Sequence, residues 1–333
     1  MNKRIVEVDV LRGIAAIAVV LFHFTYKYNF EMTDSPVHFL VQFNYGHLGV
    51  ELFFMISGFV IFISVEKSKS LKTFLVARFS RLYPTFLITS IFVLIVTYLA
   101  QYNQKMIGCK TFLLNLTMIN GLLQKTPTYL QDTYWTLNAE INFYVFIVFI
   151  IWLKLLPKIN LIIVSGIITY LVVNYFNPYV PYFFYIHKYV FIFNNLPLFF
   201  AGILFYQLSK KEQNHTKLYL YLGLNFLVYA FFHEVQYIIS FALYYILFMA
   251  ILKGKLSFTV NRLTVFLGSI SYALYLVHQN IGYILLKLVN QLQLYTFPGL
   301  IFIMVLLFFL AYLITHFIER PFMLMIKERF KDK

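Results

Sequence analysis

"VDVLRGIAAIAVVLFHF" (Val8–Phe24) is almost wholly apolar, yet it carries Asp9, Arg12 and His23. Eleven residues of α-helix turn through roughly 1100° and rise about 16 Å, so Arg12 and His23 share one face, three turns apart. A stretch apolar enough for lipid thus presents a cation near one end and an imidazole well inside. What that face looks at is decided by the rest of the chain.

Of the 333 residues, 61% are hydrophobic and 12% charged, against about 45–50% and about 25% in soluble domains. With a mean hydropathy of +0.76, the chain reads as an all-α, polytopic membrane protein forming one domain over 1–333. The single cysteine, Cys109, leaves no intramolecular disulfide framework and no cysteine-rich metal site. Lys3 and Arg4 before an apolar run resemble a signal peptide. No small-x-small cleavage site follows, and Arg12 interrupts the run early, so it reads as a retained first span.

A span needs about 20 mostly apolar residues. About ten stretches fit: 9–28, 46–65, 84–102, 134–153, 159–176, 190–208, 218–233, 235–252, 264–288 and 297–318. The divisions are weakest around His233–Glu234 and in the aromatic stretch 177–190. With the N-terminus cytoplasmic, only Lys27, Lys105, Lys110, Lys125, Lys188 and Lys287 of the 27 Lys and Arg fall outside. That asymmetry follows the positive-inside rule and places both termini in the cytoplasm. It also absorbs most of the +14 formal charge, so no nucleic acid is needed to account for it.

Ionisable groups inside a membrane cost about 2.5–3.5 kcal/mol each on insertion scales and face cavities or one another. Here they are Arg12, His23, Glu51, Glu140 and His278. At 1.5 Å per residue, His23 and His278 lie roughly 20 Å above the inner edge. Glu51 and Glu140 lie roughly 8–9 Å below the outer edge of a slab about 30 Å thick. Two histidines and two carboxylates therefore share one level in the outer half, and Arg12 lies low, near Arg78 and Arg81 of the loop 66–83. Such a set also suits a metal, although no two ligands come from one helix at i, i+4 as in HExxH. Alternatively, each group is a hydrogen-bonding partner between helices. Ser57-Gly58 falls near mid-membrane, where a small pair lets helices pack closely or leaves room for a ligand beside the backbone. Trp135 opens "WTLNAE" at an outer edge, the place of an interfacial anchor. Ser271, Tyr275 and His278 recur at i, i+4, i+7 and share one stripe, which should face the bundle interior.

Taken together, these stretches resemble the acyltransferase-3 family of integral membrane acyltransferases. The likeness runs over residues 7–321. It rests on Arg12 and His23 at Arg-x10-His spacing, "FFMISGF" (Phe53–Phe59), "RFSRLYP" (Arg78–Pro84), "WTLNAE" (Trp135–Glu140), "SYALYLVH" (Ser271–His278) and "ERP" (Glu319–Pro321). Glu51 stands where members often have Asp. Thr136 replaces a frequent Ser and keeps the hydroxyl. The chain ends soon after "ERP", without the esterase-like domain that some members carry. "WTLNAEINFY" is similar to the version in exopolysaccharide and surface-glycan acetyltransferases.

The resemblance implies transfer of an acyl group, usually acetyl, from cytoplasmic acyl-CoA to a carbohydrate hydroxyl. The acceptor it implies is a lipid-linked or exported glycan at a bacterial inner membrane. Arg12, Arg78 and Arg81 suit the phosphates of acetyl-CoA, because an arginine fork never loses its charge. His23 suits the general base that takes the hydroxyl proton. Glu140 is then an imidazole-orienting or sugar-binding carboxylate, Ser57 or Tyr275 an oxyanion donor, and His278 a further site residue. The rival reading is a secondary transporter, which also sets ionisable groups at mid-membrane, but no paired halves are visible.

Overall fold

A computed structural model describes residues 5–32, 41–68, 70–102, 106–124, 127–180, 193–211, 213–292 and 297–330. Lys3, Arg4, Lys105, Lys125, Lys188 and most of the stretch 177–190 lie outside these residues. The described residues form helices and connections, with no strand among them.

Each of the ten expected stretches contains a helix. Seven helices, among the described residues, are long and apolar enough to cross a membrane unaided. The other three differ for visible reasons. Leu196–Leu208 has 13 residues, short of the about 20 that a span needs. His215–Phe232 is diluted by His215, Lys217 and Asn225, and Arg262–Gln291 by the polar run His278-Gln279-Asn280. Arg262–Gln291 buries that polar run among its neighbours, whereas His215–Phe232 buries only Leu218, Leu222, Asn225, Val228 and Tyr229.

The segment 66–83 is a correction. From Leu71 onward it is helix: α3 runs unbroken from Leu71 to Leu99 and contains Arg78, Arg81 and Pro84. Ser70 caps its start, accepting a hydrogen bond from the Thr73 N–H, which satisfies one of the orphan donors of the first turn. The arginines therefore stand at fixed positions on a helix face.

Two close crossings hold the centre. The first helix, α1 (Val6–Phe22), meets α10 (Arg262–Gln291) at Gly13 and Gly268. A Cβ on Gly268 would lie 2.2 Å from the Asp9 carbonyl oxygen. The second, between α2 (Gly49–Lys67) and α7 (Leu196–Leu208), uses Gly58 and Gly202. A Cβ on Gly202 would lie 2.0 Å from the Met55 carbonyl oxygen. Small residues allow this approach where helix association depends on packing rather than on water exclusion. Gly58 thus serves helix packing, while the adjacent Ser57 faces a cavity.

The outside is apolar. Leu99, Val145, Phe149, Leu161, Leu227, Ile246 and Phe309 are exposed, and Thr89, Ser90, Gln131, Asn138, Gln279 and Asn280 are buried. Such an inversion fits a surface solvated by lipid, where polar groups must find partners inside the bundle.

Candidate active site

Three cavities follow one another through the bundle. The inner one is lined by Asp9, Arg12, Lys67, Arg78, Arg81, Tyr206, Lys210, Tyr272, Glu319 and Arg320. The middle one shares Arg12, Arg78, Arg81 and Tyr272 with it and adds Ser57, Thr136, Glu140, Tyr144, Ser271 and Tyr275. The outer one shares Val50, Phe54 and Tyr275 with the middle, and contains His23, Glu51, Asp132, Trp135, Gln236 and Tyr237. The middle is narrow, about 70 Å³ against about 710 and 830 Å³ at the two ends. The face of α1 that carries Arg12 and His23 thus looks onto both ends of one polar route.

Charge differs sharply along it. Six cations and two carboxylates line the inner cavity, one of the cations, Lys210, being paired with Glu66 at 2.6 Å. Among the described residues, the outer one has Glu51 and Asp132 against Lys27, which pairs with Glu31 at 3.8 Å.

His23 is held on its Nδ1 side. That nitrogen lies 2.8 Å from the Val19 carbonyl oxygen and 3.4 Å from Nε2 of His278. His278 Nδ1 lies 2.9 Å from the Tyr275 carbonyl oxygen. Carbonyls only accept, so both rings carry their proton on Nδ1 when neutral, a tautomer assigned from these partners. The His23 lone pair is then on Nε2. The rings meet edge to face, with centroids 4.9 Å apart. His23 also opens a π-helical segment, His23–Lys27, a widened turn common at functional sites. A second such segment, Thr315–Glu319, brings Thr315 and Glu319 to the inner cavity. Neither is visible as a hydrophobic period.

Glu140 does not join the histidines. Its Oε1 accepts from Ser57 Oγ at 3.1 Å and from Tyr144 OH at 2.6 Å, and it acts electrostatically on Arg12 and Arg78. Glu51 accepts from Tyr229 OH at 2.8 Å and Ser240 Oγ at 3.0 Å. The four expected groups therefore do not gather into one constellation: His23 and Glu51 line the outer cavity and Glu140 the middle. Helix ends estimated from hydropathy set depth only, and the side chains point to different neighbours. Ser271, Tyr275 and His278 are all buried, as their shared stripe requires. Tyr275 OH lies 2.9 Å from Thr136 Oγ1 and donates to the Thr133 carbonyl oxygen at 3.2 Å. Arg78 bonds Ser64 Oγ, and Arg12 and Arg81 line both the inner and middle cavities.

A lattice of amides goes unnoticed in the sequence. Asn280 N–H donates to Gln131 Oε1 at 3.1 Å, its Nδ2 donates to the Leu130 carbonyl oxygen at 2.8 Å, and Thr133 N–H donates to Gln279 Oε1 at 3.0 Å. Gln131 Nε2 closes the lattice on the Leu276 carbonyl oxygen. This fixes the turn that carries Asp132 and Trp135 beside His23. The available signal was "HQN" inside an apolar helix. Tyr144 was likewise readable as the i+4 partner of Glu140.

Such a bundle of apolar-faced helices, with cavities lined by charged and polar side chains at its centre, is an all-α integral-membrane protein. The chain belongs to the acyltransferase-3 family, whose model, described as an acyltransferase domain, matches residues 5–316. It is 25% identical over 286 residues to a protein of Acidianus two-tailed virus named as an acetyltransferase, covering 80% of each chain. It is 28% identical over 174 residues to the acyltransferase MdmB of Streptomyces mycarofaciens, over 48% of this chain and 42% of the relative. No solved structure matches the chain with significance. The protein is therefore a membrane acyltransferase.

Proposed function

We propose that this acyltransferase moves an acetyl group from cytoplasmic acetyl-CoA to a hydroxyl of a lipid-linked or exported glycan, with His23 as general base. The observation that carries this reading is the route itself, which runs from a cation-rich inner cavity to an outer one holding His23. An anionic nucleotide suits the inner end, where Arg12, Arg78, Arg81, Lys67, Lys210 and Arg320 can neutralise phosphates. The narrow middle admits an extended chain and excludes a nucleotide, which suits a pantetheine arm. A neutral, hydroxyl-rich acceptor suits the outer end, with its carboxylates, amides and Trp135.

In the transfer, the sugar oxygen attacks the thioester carbonyl and its proton passes to His23 Nε2. The C–S bond then breaks, and the thiolate of CoA takes that proton. Tyr275, at the join of the middle and outer cavities, would serve the oxyanion only by turning its hydroxyl away from the Thr133 carbonyl oxygen. Ser57 is already donating to Glu140 and would have to turn to serve there. A bacterial inner membrane is the setting that such an acceptor implies.

The test is acetyl transfer by purified protein, with labelled acetyl-CoA and glycan extracted from the source cells. Wild type should add the mass of one acetyl group per modified unit, and His23→Ala should not. Transfer by His23→Ala at the wild-type rate would remove the base. An unlabelled glycan with acetyl-CoA unconsumed would favour the transporter.

A further inference from the structure

The outer cavity is not one chamber. Beside it, a side lobe is lined by Asn194, Leu198, Tyr229, Phe232, His233 and Glu234. Glu51, Asn195 and Tyr237 line both spaces. They are therefore a shared wall, and a molecule seated against His23 in the main lobe would enter the side lobe if it extended past them.

That wall is built rather than incidental. Glu51 is oriented by two donors from two different helices, Tyr229 OH and Ser240 Oγ. Tyr229 is in turn stacked by His233, with ring centroids 3.8 Å apart at 11°. Tyr244, on Val235–Leu252 with Ser240, ties that helix to the start of α2 by donating to the Leu48 carbonyl oxygen at 2.8 Å. A carboxylate so held offers oriented lone pairs to hydroxyl donors.

The chemistry of the lobe selects among occupants. Its charged lining, among the described residues, is Glu51 and Glu234, with no Lys or Arg. Carboxylates without a cation repel a phosphate, which sets the lobe against an anionic lipid headgroup or a nucleotide. Amides, carboxylates, a phenol and an imidazole are hydroxyl partners, and Tyr237 and Phe232 offer apolar ring faces.

We infer that the side lobe is a second acceptor subsite, which takes the neighbouring ring of a neutral carbohydrate whose reacting ring sits against His23. The acceptor class is thereby an oligosaccharide or longer glycan of at least two linked rings, not a lone sugar. This rests on the acetyl-transfer reading above and extends it.

The experiment uses purified full-length protein, labelled acetyl-CoA, and a partial hydrolysate of source-cell glycan separated into one-ring and two- to four-ring fractions. Wild type should show kcat/KM at least about tenfold higher for the longer fractions, equivalent to about 1.4 kcal/mol of extra binding. Glu234→Gln, His233→Phe (which keeps the stack on Tyr229) and the lobe-filling Asn194→Trp should bring the longer fractions down to the one-ring value through KM. They should leave one-ring transfer and acetyl-CoA KM unchanged. Equal rates for all lengths in wild type, or a length preference that survives all three variants, would overturn the subsite and leave the acyl-transfer reading standing. No transfer to any fraction would remove both.

Discussion

His278 Nε2 faces His23 Nδ1 at 3.4 Å, and His23 Nδ1 also meets the Val19 carbonyl oxygen at 2.8 Å. Two acceptors on one side of the ring hold the Nδ1–H tautomer and turn Nε2 away from α1. General-base catalysis contributes about 10²–10⁴-fold, and a base in the wrong tautomer loses most of it. His278→Leu is expected to lower kcat by about 10²-fold with both KM values unchanged. His278→Gln, which keeps an acceptor oxygen, should recover part of that. A joint rise in both KM values would mean that His278 only packs the bundle.

Glu140 collects Ser57 and Tyr144 on one oxygen, beside Arg12 and Arg78. Hydrogen bonds to a charged group are worth about 1.5–3 kcal/mol. Tyr144→Phe should therefore lower the unfolding temperature in detergent and raise KM for acetyl-CoA several-fold, because the carboxylate then pulls differently on the arginines. An unchanged melting curve with unchanged donor KM would show the Tyr144 bond to be idle.

Helix positions were readable from hydropathy because lipid imposes a simple rule on the outer surface. The second span was read to end at 65, two residues short of Lys67, but α3 was cut shorter, since Arg78 and Arg81 read as loop charges while they line a polar cavity. The inner arginine zone was legible from Arg12, Arg78 and Arg81, all of which line one cavity. Pairwise geometry was not. Depth placed Glu140 level with His23, and only the fold shows it bonded to Ser57 instead. The amides Gln131, Gln279 and Asn280 work by contacts about 150 residues apart in the chain, and no local period encodes those.

The crossing of α2 and α7 allows an internal control. A Cβ on Gly202 would lie 2.0 Å from one backbone oxygen, and one on Gly58 would lie 2.2 Å from another. Backbone cannot move aside as a side chain can, so Gly202→Ala and Gly58→Ala should each cost at least the about 1–3 kcal/mol typical of overpacking. Gly223, on His215–Phe232, has nothing within 4 Å. Gly223→Ala should be neutral or stabilise by up to about 1 kcal/mol, the helix preference for Ala. The yield of monodisperse protein and its melting temperature measure all three. A tolerated Gly202→Ala would mean that the helices are further apart.

The lone cysteine reads the orientation directly. Cys109 is exposed and begins the short helix Cys109–Leu116, which follows the outward passage of α3 if the N-terminus is cytoplasmic. Lys67, Lys72 and Lys210 would then mark the inner face, in keeping with the positive-inside rule. A membrane-impermeant maleimide added to intact spheroplasts should label Cys109 as fully as it does after permeabilisation, and Cys109→Ser should abolish the signal. Labelling only after permeabilisation would invert the molecule. The cation-rich cavity would then open outward, away from cytoplasmic acyl-CoA, and the donor route would have to be reassigned.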